Sequence, residues 1–163
     1  MATTYESIAT VNGTGSSGTI TFNSFSGYTD LILVTNAMST ASQYNAGLRF
    51  NGDTGTNYSR TSLSFDLATV TSNRVTNDTS IRVTSDGIVS GNPSTHILQI
   101  MNYSNSNTYK TVIIRNGNAA SNGGEDATVG MWRSTSAITS LSFIITGSFS
   151  TSSIFTLYGI KAA

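Results

Sequence analysis

The chain is 163 residues long, the size of one domain, read as residues 1–163, and its eight basic residues cancel eight acidic ones. Only 10% of the residues are charged, against roughly 25% in an ordinary soluble domain, so there is neither the basic stripe that grips nucleic acid nor the polybasic segment that holds an anionic membrane. With no cysteine, disulfides and thiol chemistry are excluded; one histidine cannot supply the usual three or four ligands of a zinc site; and no apolar run approaches the roughly 20 residues of a spanning helix.

Polarity comes instead from Ser, Thr, Asn and Gly, which suit turns and the wet face of strands. Residues 1–12 lack the basic and apolar parts of a signal peptide, so assembly in a cytoplasm is expected. Tyr5–Val11 and Thr19–Phe22 read as strands joined by the turn NGTGSSG, a first hairpin. Thr29–Met38 holds the continuous run Leu31–Val34, the mark of a strand covered on both faces or central in a sandwich. Ala46–Phe50 is a strand followed by the Gly-bearing loop Asn51–Tyr58, and Arg60–Leu67 turns Leu63, Phe65 and Leu67 to one side. Residues 68–78 are low in complexity and expected to be exposed. Strands follow at Thr79–Val83, Thr95–Tyr103, Tyr109–Arg115 and Ala127–Arg133, the last bearing the single tryptophan.

Ala137–Lys161 closes the chain. Leu141, Phe143 and Ile145 share one parity, as do Phe155 and Leu157, with Gly, Ser and Thr between the two runs. This pattern predicts a second hairpin around which the rest closes. No segment has sustained helical periodicity. About ten short strands at regular spacing predict an all-β fold, an antiparallel β-sandwich of jelly-roll type with first and last strands adjacent.

Chemistry-bearing residues are sparse. His96 would have to serve any Ser–His–Asp site, yet no nucleophile elbow lies near it, and a strand-edge or solvent histidine is the expected reading. Asn51, Asp53 and Asn57 could offer oxygens to calcium, but the EF-hand spacing is absent and the same residues make turns unaided. Glu125 and Asp126 are adjacent, so on a strand they point to opposite faces and cannot pair across a sugar. Tyr44, Tyr58, Tyr103, Tyr109 and Trp132 could form an aromatic platform for a glycan, or simply serve core and interface.

The words Leu48–Ser59 (LRFNGDTGTNYS) and Thr156–Lys161 (TLYGIK), with the opening YESIATV, the segment Tyr28–Val34 and the stretch from Gly130 through Trp132 to Ile138 and Leu141, resemble a family of small virion structural proteins of tailed bacteriophages. The resemblance implies a β-sandwich that assembles on the virion as an oligomer, often a homotrimer, with no catalytic residues and no cofactor. The expected role is a capsid decoration or cement protein bound to the major capsid protein. The alternative is a tail fibre, spike or baseplate component that touches tail proteins and a host surface glycan. For the interface the expectation falls on Trp132, Tyr58 and Phe149, because large aromatics dominate interface energetics.

Overall fold

Short strands rich in β-branched and aromatic residues bury their apolar parities by stacking two sheets. The structure, a computed structural model, describes residues 4–41, 44–66, 69–119 and 124–161. Among these the strands are β1 (Tyr5–Asn12), β2 (Thr19–Asn23), β3 (Asp30–Ala37), β4 (Ala46–Phe50), β5 (Tyr58–Asp66), β6 (Thr69–Asp78), β7 (Ile81–Arg82), β8 (Ser94–Ile100), β9 (Lys110–Asn118), β10 (Glu125–Trp132), β11 (Ser140–Ile145) and β12 (Ile154–Ile160). They form an eight-stranded sheet, in the order β1-β12-β3-β8-β9-β10-β5-β6, and a four-stranded sheet, β2-β11-β4-β7. Every pairing is antiparallel. The chain is thus an all-β sandwich.

The pairing is nested. β1 lies beside β12 and β3 beside β8 in the large sheet; β2 lies beside β11 and β4 beside β7 in the small one. Eight strands so arranged have the two-sheet organisation of a jelly roll. The other four, β9, β10, β5 and β6, extend the large sheet beyond β8 as a wing. β7 reaches over this wing as far as β10, where Ile81 sits against Gly130 so closely that a Cβ on the glycine would lie 2.5 Å from the isoleucine. Farther out, β6 is exposed along almost all of its length.

The two predicted hairpins are not formed. β11 belongs to the small sheet and β12 to the large one, so residues 146–153 cross between sheets. Residues 13–18 make the same crossing from β1 to β2. A polar Gly/Ser connector suits a crossing as well as a hairpin, and alternation reports which side is apolar, not which strand is the neighbour. The two crossings run together: Gly15 N–H bonds Phe149 O (2.9 Å), Phe149 N–H bonds Ser17 O (2.9 Å) and Ile145 N–H bonds Gly18 O (2.8 Å).

The expected parities do fill the core. Leu141, Phe143 and Ile145 from one sheet meet Phe155 and Leu157 from the other, joined by Leu31, Leu33 and Leu98. Phe143, Phe149 and Phe155 form a ring cluster with centroids 4.8–5.9 Å apart. A second cluster sets Trp132 against Phe50 and Tyr58 at 5.7 and 6.4 Å.

Candidate interaction surface

Of the residues nominated from sequence, the three expected at an interface are all interior. Trp132, Tyr58 and Phe149 are buried in the chain's own core, which corrects that expectation, since a side chain wholly covered by its own fold has no surface to offer a partner. The aromatic glycan platform is likewise not assembled: Tyr58, Tyr103 and Trp132 are core residues, and Tyr109 stands exposed apart from them. Bulk and aromaticity serve a core and an interface equally, so residue type alone could not decide.

His96 is also corrected, from the edge to the centre. It lies on β8 between β3 and β9, fully buried. Nδ1 is 2.9 Å from Thr35 Oγ1, the ring meets Phe143 edge-on at 5.5 Å, and Nε2 has no hydrogen-bond partner among the described residues. Burial pushes its pKa down to about 4.

The loop after β4 is a self-satisfied turn. Asn51 and Gly52 both have positive φ (53° and 67°), and Asp53 N–H closes the turn on Phe50 O at 2.9 Å. Asn51 Oδ1 accepts the N–H groups of Thr139 (2.8 Å) and Ser140 (3.1 Å), while its Nδ2 donates to Ala137 O. Asp53 accepts Gly55 N–H (2.8 Å), Asn57 Nδ2 (2.9 Å) and Trp132 Nε1 (2.7 Å). Those bonds, the tryptophan's first, hold its carboxyl below the usual range. Tyr58 accepts Phe50 N–H at 3.1 Å, and burial raises its hydroxyl to about 12. The words Leu48–Ser59 and Gly130–Leu141 are therefore joined through Asn51 and Asp53, and TLYGIK pairs with both YESIATV and YTDLILV.

Glu125 and Asp126 do point to opposite faces, one exposed and one buried. Asp126 accepts Ser85 N–H (2.7 Å), Ser85 Oγ (2.6 Å) and Asn116 Nδ2 (3.1 Å). Burial alone would raise its pKa, but the bonds from Ser85, Ser64 and Asn116 outweigh it and hold the carboxyl low.

The outstanding surface feature is the outer face of the large sheet. Register sets Tyr158, Ile32, Ile113 and Val129 in one cross-strand row and Val34, Ile97, Ala127 and Leu63 in the next. A third row ends in Phe65 and Val70 on the wing. In these rows Arg74, Arg115 and Glu125 are the only charges. Val129 is 55% exposed, Leu63 and Ile113 each 46%. Together with Ala127 these three line a shallow apolar cleft of about 330 Å³. β5 thus turns its apolar parity, Leu63 and Phe65, to solvent and its polar parity, Ser62 and Ser64, inward; Leu67 lies outside the described residues. Periodicity identifies an apolar side without saying which side is water. The available signal was the strand apolar on both parities: Leu31–Val34 and Val112–Ile114 ask for cover on both faces, and the chain itself covers one.

No protein-family model matches the chain, and neither does any curated protein or solved structure.

Proposed function

We propose that this chain is a non-enzymatic structural protein of a tailed-phage virion, a decoration or cement protein that self-associates through the outer face of its large sheet. The observation that carries self-association is that face. Eight strands spaced about 4.8 Å apart and about seven residues long present roughly 800 Å², which is the area one partner contributes to a standard stable interface. Its successive rows carry apolar side chains interleaved with uncharged Ser, Thr, Asn and Gln and only three charges, a composition that suits burial against a partner. The homotrimer, the virion location and the capsid or tail partner come from the resemblance of Leu48–Ser59 and Thr156–Lys161. The tail-fibre alternative loses its aromatic platform, because three of the five rings are in the core.

Two measurements test this. Sedimentation of the purified chain should give an oligomer, and Val129→Lys should shift it to a monomer that keeps the parent's far-ultraviolet circular dichroism, since Val129 is exposed in the single chain, while its melting temperature falls by what association contributed; a monomeric parent would remove the assembly reading. Immunogold labelling of purified virions should place the chain on the head. Label confined to the tail tip would replace cementing by a tail role, and absence of label would end the virion reading.

A further inference from the structure

The inner side of the wing has the wrong chemistry for a sandwich interior. Ser62 is flanked across the sheet by Thr128 and Asn73, and Ser64 by Asp126 and Thr71. Inner faces of packed sheets are apolar; this one is rows of hydroxyl, amide and carboxylate groups. It forms the floor of an open groove of about 410 Å³, within the range of small-molecule sites, whose wall is β7 and the following loop, from Arg82 to Asp86.

Arg82 is the unusual member. It is half-buried, with Nε donating to Thr84 O at 2.8 Å and Nη2 to Ser85 O at 2.5 Å. A guanidinium carries five N–H donors, and the other three have no partner among the described residues. Arg82 forms no ion pair there either; its cationic neighbour Arg60 is the one bound to a carboxylate, Asp78, at 3.0 Å. Burial and the like charge of Arg60 both disfavour the charged form of Arg82. A fixed, partly desolvated fork with an unspent donor edge is suited to a carboxylate. The surrounding hydroxyls, each donor and acceptor, suit a polyhydroxylated body. Asp86 and Asp126 close by favour a singly charged ligand over a polyanion.

We propose that this groove binds an acidic saccharide, its carboxylate on the free edge of Arg82 and its ring hydroxyls on Ser62, Thr71 and Asn73. The groove and the self-association face are opposite sides of β5, so either assignment can fail without the other.

The test is calorimetric titration of the full chain with galacturonate, which carries one carboxylate, and, as the uncharged match, galactose. The acidic sugar should bind at least about tenfold more tightly, the worth of a charge-assisted hydrogen-bond pair. Arg82→Gln should abolish binding. Because that change also frees the Thr84 and Ser85 carbonyls and can disturb β7, Thr71→Ala and Asn73→Ala provide the independent readout. Neither side chain makes a hydrogen bond among the described residues, so their melting temperatures should be unchanged while affinity falls severalfold. Equal binding of the two sugars, no binding of galacturonate at about 10 mM, or full affinity in both β6 variants would each overturn the proposal. So would displacement by sulfate with no effect of the β6 variants, which would mark a bare anion site.

Discussion

Lowering the pH from 7 to 4 should remove about 3 kcal/mol of stability through His96 alone. The folded chain holds this imidazole in the core, where burial takes its pKa from 6.5 to about 4. The unfolded chain therefore binds the proton first. Stability is fully present above pH 6.5 and falls as pH drops toward 4, by about 1.4 kcal/mol for each pH unit in the middle of that window. Little nearby relieves the cost: among the described residues Nε2 has no acceptor, and Thr35 and the Phe143 edge offer no charge. Asp126 gives the one opposing Coulombic pull. The lowered carboxyls of Asp53 and Asp126 act elsewhere; their contribution is intact above the unfolded carboxylate range near pH 4 and is lost below it. Urea midpoints at pH 7, 5.5 and 4.5 should fall steadily in the parent and stay nearly level in His96→Gln. A parallel fall in the variant would assign the acid sensitivity to other groups.

Gly18→Ala should cost more than 4 kcal/mol, the scale reserved for forced backbone rearrangement. A Cβ at Gly18 would stand 2.0 Å from Gly147 O and 2.5 Å from Ile145 O. Both are main-chain atoms, so no side chain can swing away, and the Ile145 N–H bond to Gly18 O would be lost with the displacement. Gly13 is confined in the same way by Ser150 O at 2.0 Å. The control is Gly27→Ala, where φ is +80° and nothing lies within 4 Å of the added carbon; it should cost only the left-handed backbone penalty, about 1–2 kcal/mol. Calorimetric melting of the three proteins separates these cases. Similar losses at positions 18 and 27 would mean that the two sheet crossings do not pack as described.

Much of this was legible in the sequence, and the misses have one physical cause. Alternation located β1, β2, β3, β4, β10, β11 and β12 within a residue or two, and it put Leu141, Phe143, Phe155 and Leu157 on one parity, the core side. It could not name neighbours, so β11 and β12 were paired with each other, when in fact one joins β2 and β4 and the other β1 and β3. It could not name the wet side, so the outward display of Leu63 and Phe65 became visible only with the small sheet in place. β6 was invisible as a strand because a strand exposed on both faces carries no apolar parity to read. The sequence places His96 at a strand edge or in solvent because polar residues are usually exposed, and its burial follows from a register that nothing local specifies.

The nesting of strands also sets the order in which the molecule can form. Among the described residues the only ladder partner of β1 is β12, and that of β2 is β11. Thr10 and Thr156, whose hydroxyls meet at 3.1 Å, are 146 positions apart. As the chain leaves the ribosome its opening strands have nothing to zip onto until the closing ones appear. Such non-local topologies fold in milliseconds to seconds, and until then two unpaired strand edges stay open to neighbouring nascent chains. Completion is a late event, gated by translation of residues 140–160, and any nonsense product ending before them leaves the opening strands permanently unpaired.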